Sequence, residues 1–80
     1  MATTIRPLYQ IASEIRKDWK PMYRPAGAHL EAWDGATSMD EMYGCDSVRS
    51  EVAYFLANAQ TWRGETARRI KKELNAMLKR

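Results

Sequence analysis

The segment SVRSEVAYFLANA, residues 47–59, decides the fold. Val48, Val52, Phe55, Leu56 and Ala59 stand at i, i+4, i+7, i+8 and i+11, an apolar stripe at helical spacing. Asp46 or Ser47 precedes it and supplies the side-chain oxygen that caps an N-terminus. Valine lowers helix propensity slightly, but a buried face outweighs that preference. The pattern predicts a helix at the centre of the core.

Downstream, a last helix begins at Thr61 or Glu65 and runs nearly to the C-terminus. Ala67, Ile70, Leu74, Met77 and Leu78 form its buried stripe. Glu65 at its start and Lys79 and Arg80 at its end suit the helix dipole. Upstream, Leu8, Ile11, Ala12, Ile15 and Trp19 cover about 100° of a first helix from Pro7 to about Trp19. Pro7 suits a first turn and Pro21 stops the helix. Tyr9, Arg16, Lys17 and Lys20 fall outside that stripe. PMYRPAG, residues 21–27, reads as a linker whose Pro25 opens a second helix carrying Leu30 and Trp33, with Gly35 ending or weakening it. Ser38-Met39-Asp40-Glu41 fits a capping box that opens a short helix ending near Gly44. A single turn and a continuation of the second helix are the alternatives there. No strand is expected: apolar–polar alternation does not persist, and Asp34-Gly35 lies within a helical pattern. The expected architecture is one all-α domain over residues 1–80, a compact bundle of four to five helices.

The chain has 80 residues, one cysteine and a net charge of +3, so no internal disulfide helps a small core. A lone cysteine, no signal-peptide pattern and no apolar run of about 18 residues point to a bacterial cytosol and away from a membrane. The charge is blocked: residues 1–25 carry net +3, residues 26–60 net −5 and residues 61–80 net +5. Such blocks draw segments together or present faces of opposite sign to partners.

Three surfaces follow as binding candidates. On the last helix, Arg68, Lys72 and Lys79 line one side, with Arg69 and Arg80 beside them and Lys71 at the apolar edge. The row suits phosphates or a partner's carboxylates. Its plainer reading is a solvated face with Glu65–Arg69 and Arg69–Glu73 as i,i+4 pairs. A helix-turn-helix through Gln60–Trp62 would aim Arg63, Thr66 and Arg68 at base edges. Against it, the junction lacks a tight-turn glycine and Trp62 is expected to pack. The acidic middle, Asp34, Asp40 and Glu41 with Glu31, Asp46 and Glu51, suits a basic surface such as another protein's nucleic-acid groove. Helix capping and internal pairing are the competing reading, and the calcium-loop spacing is absent. Trp19 and Phe55 belong to the core. Tyr23 and Tyr43 with Met22, Met39 and Met42 suit an adaptable protein-binding patch or loops packed on the core. Neither His29 nor Cys45 stands in a nucleophile or metal spacing, and the four glycines are scattered, so no enzyme activity, cofactor or metal is expected.

YFLANAQTWRGETARRIKKELNAML (54–78), IASEIRKDWK (11–20) and MYGCDSVRSEVAYFL (42–56) resemble segments of small uncharacterised proteins of actinobacterial phages and prophages. The resemblance covers most of the chain outside residues 21–37, and Thr61-Trp62-Arg63-Gly64-Glu65 is its most distinctive part. It implies a phage or prophage accessory protein in a bacterial host. Proteins of that setting often bind and redirect host machinery, anti-CRISPR proteins among them. It brings no residue roles with it. Physically, Trp62 should close the core at that junction, Thr61 should cap the last helix and Gly64 should allow close packing or a loose first turn. Arg63 should cap the preceding helix, lie over Trp62 or meet a partner.

The leading expectation is therefore a non-enzymatic protein that binds a bacterial host protein or complex, with inhibition of a defence system as its sharpest form. One alternative is a DNA- or RNA-binding regulator using the basic C-terminal helix. Another is a homo-oligomer whose methionines and aromatics cover one another.

Overall fold

The structure, a computed structural model, describes residues 6–79. It contains four helices, α1 (Leu8–Asp18), α2 (Arg24–Trp33), α3 (Val48–Ala57) and α4 (Glu65–Leu78), and a two-stranded ribbon between α2 and α3, β1 (Met42–Tyr43) and β2 (Asp46–Ser47). The all-α bundle is as expected; the ribbon is not. Residues 38–44 form no helix; Ser38 to Glu41 make the single turn expected as the alternative, with the Glu41 N–H 3.5 Å from the Ser38 carbonyl. The strands pair antiparallel with Met42 opposite Ser47 and Tyr43 opposite Asp46. They are joined by Gly44 and Cys45, with Gly44 at φ +62°. Positive φ at the first residue of a two-residue loop is the glycine-led form of hairpin turn, a weaker sequence signal than an Asn-Gly or Asp-Gly pair between strands. The capping box forms without its helix, the Ser38 hydroxyl accepting the Asp40 N–H at 3.4 Å. The Glu41 carboxylate accepts the N–H groups of Thr37 at 2.7 Å and Ser38 at 2.9 Å, which ties the loop. Met39 is buried beneath it.

Three helix ends are satisfied by named partners. No side chain caps α1. The loop after α2 does so, since the carbonyls of Thr37 and Ala36 accept the N–H groups of Leu8 and Tyr9 at 3.1 and 2.8 Å. Ser47 caps α3 as expected, its hydroxyl accepting the Ser50 N–H at 3.1 Å. The Arg49 guanidinium on α3 donates to the Leu78 carbonyl at 2.7 Å, fastening the C-terminal end of α4. The start of α4 differs from expectation. Thr61 does not cap it; Gly64 precedes it at φ +114° and ψ −178°. A Cβ there would meet nothing within 4 Å, so the backbone angles demand glycine and packing does not.

The core joins all four helices through Leu8, Ile11, Ile15, Leu30, Val52, Phe55, Ile70 and Leu74. Phe55 on α3 is the aromatic hub, with edge-on contacts to Trp33 at 5.6 Å, Trp19 at 6.1 Å and Trp62 at 6.4 Å between ring centroids. Trp19 and Trp62 stack at 5.5 Å with planes 9° apart. The Trp62 indole N–H donates to the Asp18 carboxylate at 2.8 Å. The expected closure of the core by Trp62 is thus made through α1. Leu56 and Leu78, placed on the buried stripes by spacing, are only partly buried. The indole N–H of Trp33 is buried without an acceptor among the described residues, which costs about 1–3 kcal/mol against the burial of the ring.

Candidate functional site

Partners decide which charges remain free. Across the α1–α4 contact, Arg6 makes two parallel bonds to Glu73 at 2.9 and 2.7 Å and a third to Glu14 at 2.9 Å. Arg69 bonds the other oxygen of Glu14. Glu14 is consequently held below the usual carboxylate range, first by the Arg69 hydrogen bond and then by Arg6, against some burial. The i,i+4 pairs expected within α4, Glu65–Arg69 and Arg69–Glu73, are not the pairs formed. A guanidinium meets a carboxylate best as a fork, and the Arg6–Glu73 geometry provides that across the two segments. Arg69 therefore belongs to the α1–α4 seam and leaves the basic row. Arg68, Lys72 and Lys79 remain exposed with no ion-pair partner among the described residues. Arg80 lies outside the described residues.

At the α3–α4 junction, the position expected of Arg63 over Trp62 is taken by Lys71. Its ammonium lies 5.9 Å from the Trp62 ring centroid and donates to the Trp62 carbonyl at 2.6 Å. Burial, and secondarily the nearby Arg63, lower the Lys71 pKa. Nor does Arg63 cap the preceding helix. Asn58 does so, its side chain donating to the Tyr54 carbonyl at 2.9 Å. Arg63 is left exposed at the corner. The connection over residues 58–64 buries Ala59 and Trp62. It is longer than the roughly three- or four-residue turn of a helix-turn-helix, and that arrangement is not built.

Half of the acidic middle is committed internally. Asp34 holds Arg16 at 2.6 Å, Glu41 ties its loop, and buried Glu51 meets His29 Nδ1 at 2.8 Å. Asp40 is 90% exposed, with Arg49 no nearer than 3.9 Å. Glu31 and Asp46 are also exposed. The methionine–tyrosine set does not form one patch. Met39 is buried and Met22 packs on the core, whereas Tyr23 and Met42 are exposed and the Tyr43 side chain lies outside the described residues.

A second basic surface escaped the sequence reading. Lys17, Lys20 and Arg24 flank the α1–α2 turn, exposed and with no ion-pair partner among the described residues. The signal was present as three cations bracketing residues 18–23, but they straddle a helix end where periodicity stops being informative. Together the two surfaces offer ammonium and guanidinium donors, the chemistry that holds carboxylates and phosphates.

Among the described residues no group of three or more His, Cys, Asp or Glu side chains converges to hold a metal ion. His29 has Glu51 on one ring nitrogen and the Tyr54 ring 5.3 Å away, and Cys45 is exposed on the ribbon turn. No described helix is long and apolar enough to cross a membrane. Comparison with protein-family models, with curated proteins and with solved structures returns no match.

Proposed function

We propose that this chain is a binding protein, without catalytic chemistry of its own, that docks on an acidic surface of a bacterial host protein or complex as a phage- or prophage-derived accessory factor. Inhibition of a host defence complex is the sharpest form of the reading. The observation that carries it is the unequal use of charge. Glu14, Asp34, Glu41, Glu51 and Glu73 are spent on internal partners, which leaves Glu31, Asp40, Asp46 and Glu65 exposed and scattered, whereas Lys17, Lys20, Arg24, Arg63, Arg68, Lys72 and Lys79 are exposed without an ion-pair partner among the described residues. The free cations therefore outnumber the free carboxylates among the described residues, and all but Arg63 gather on the α4 row and at the α1–α2 turn, which concentrates the net +3 of the chain there. The phage resemblance supplies the host setting.

Affinity capture from bacterial lysate, with and without nuclease, tests this. A protein should be retained after nuclease and released by salt, because exposed charge pairs are screened over about 8 Å at physiological ionic strength. Glutamate at Lys20, Arg24, Arg68 and Lys72 together should abolish capture in a chain that still folds. Capture unchanged by those four reversals would sink the reading. The row Arg68, Lys72 and Lys79 on α4 supports a second reading, nucleic acid binding through phosphates. Loss of every partner after nuclease, with direct binding to oligonucleotides that weakens steeply with salt, would select it instead.

A further inference from the structure

An open hollow of about 460 Å³ lies against the turn between α1 and α2. That lies within the roughly 300–1,000 Å³ of clefts that hold a ligand-sized group. Its floor is apolar, formed by Trp19, Met22 and Gly27, with Ala28 as an exposed wall. Arg16, Lys20 and Arg24 rim it. A second hollow of about 350 Å³ shares Arg16 and Lys20 and continues along α1 past Lys17, Ser13 and the half-exposed Tyr9. Arg16 is fixed at the junction of the two by Asp34. The pair thus forms a track, with an apolar seat at one end and cations along its length.

Two properties separate the occupants that suit a cationic track. A phosphodiester chain would find no open ring face for its bases in this seat, because Trp19 is 8% exposed and already stacked on Trp62. It would also pass Glu31, which lines the first hollow and has no ion-pair partner among the described residues. An extended peptide uses all of it: one bulky apolar side chain on Trp19 and Met22, carboxylates on the rim, and a backbone N–H toward Glu31. We propose that this track is a docking site for an acidic peptide segment of a protein partner, anchored by one aliphatic or aromatic side chain. The inference rests on the protein-partner reading and gives it a location the basic row on α4 does not.

The test uses the full chain and two probes, the fluorescent peptide Glu-Asp-Leu-Glu-Asp-Phe-Asp-Glu and a short oligothymidylate. Binding is followed by anisotropy, and its site by amide and indole NMR shifts. The peptide should bind saturably and shift residues 16–28 together with the Trp19 indole N–H. Lys20→Glu with Arg24→Glu should weaken it on the order of tenfold, as two exposed charge contacts allow. Ala28→Trp should weaken it at least as much with every charge unchanged, since it fills the seat from an exposed position. Gln at Arg68, Lys72 and Lys79 should leave it unaltered. Peptide shifts centred on α4, or full affinity in the Ala28→Trp variant, overturn the proposal. So does oligothymidylate that displaces the peptide from the same residues. Lysate capture separates the two levels. The same protein captured by native chain and by Ala28→Trp removes the groove and leaves the protein-partner reading standing. A native chain that captures no protein removes both.

Discussion

Trp62 is the side chain whose replacement tests the architecture most directly. It is 2% exposed, stacks on Trp19, meets the edge of Phe55 and bonds Asp18 through its N–H. Truncating a buried tryptophan to alanine costs about 3–5 kcal/mol from lost transfer and an unfilled cavity. The parallel stack adds about 0.5–1.5 kcal/mol beyond area. The N–H bond goes to a carboxylate, but Asp18 is exposed and regains water when the donor leaves, so about 1 kcal/mol is lost there. Trp62→Ala should therefore cost about 5 kcal/mol. A domain of 80 residues has roughly 4–12 kcal/mol in total, so the variant should lose at least about two-fifths of its stability at 25 °C, and all of it at the low end of that range.

Trp62→Phe keeps a ring against Trp19 and loses the N–H. It should cost about 2 kcal/mol, half from the hydrogen bond and half from unfilled indole volume. With a urea slope of about 1–1.5 kcal/mol/M for a chain this size, the midpoint should fall by about 1.5–2 M. Far-UV circular dichroism is the assay, because tryptophan fluorescence would change with the mutation itself. A cycle with Asp18→Asn isolates the bond. Asp18→Asn should cost about 0.5–1 kcal/mol in the parent and almost nothing beside Trp62→Phe. A Trp62→Ala variant whose midpoint lies within 1 M of the parent would refute the placement of this ring, and additive costs for Asp18→Asn and Trp62→Phe would refute the bond.

Gly64→Ala should cost about 1–3 kcal/mol, because φ +114° with ψ −178° is a region only glycine occupies freely, whereas Gly35→Ala, with open space and no positive φ, should stay within about 0.5 kcal/mol; paired urea melts decide this. The Glu14 carboxyl is depressed in the folded state, so its contribution is complete above its unfolded value of about 4.3 and is lost as pH falls through the lower folded value. Acid titration of stability should show a low-pH limb that Glu14→Gln flattens. Lys71 is lowered, chiefly by burial, so the folded chain releases that proton first and stability should rise as pH climbs from the lowered value toward about 10.4. Subtracting the profile of Lys71→Met should remove that rise, and a difference curve that is flat between pH 8 and 10.5 would contradict the assignment.

The helices were legible because each carries one apolar stripe and those stripes need each other. Val48, Val52, Phe55 and Ala59 all reach the core, as their spacing requires. Leu56 does so only in part, since it sits at the margin of a stripe drawn wide. The ribbon was not legible from the signals sought. Ser38 and Glu41 satisfy the capping-box pattern and make its contacts, but a hydroxyl and a carboxylate that tie neighbouring amides serve a loop as well as a helix. The positive φ of Gly44 turned the chain instead. Local arithmetic likewise paired Arg69 with Glu65 and Glu73, whereas the folded chain pairs it with Glu14 and gives Glu73 to Arg6. Spacing along one helix says nothing about a carboxylate delivered by another, and a forked contact across the α1–α4 seam outweighs a solvated i,i+4 pair of about 0.3–0.5 kcal/mol.

That exchange of partners bears on where a partner molecule can be felt. Glu14 on α1 turns toward α4, and Arg16, two residues on, turns toward Asp34 after α2. Helix α1 therefore stands between the basic row of α4 and the track beside α2. A helix with its side chains is about 10–12 Å across, whereas exposed charges are screened over about 8 Å at physiological ionic strength. The two cationic surfaces then act as separate sites and not as one field. A ligand seated on Trp19 should not respond to neutral substitutions on α4, and a ligand held only by diffuse charge should respond to both in proportion to the charges removed. Selective loss at one surface would therefore mark a built contact, and proportional loss would mark a polyanion with no seat at all.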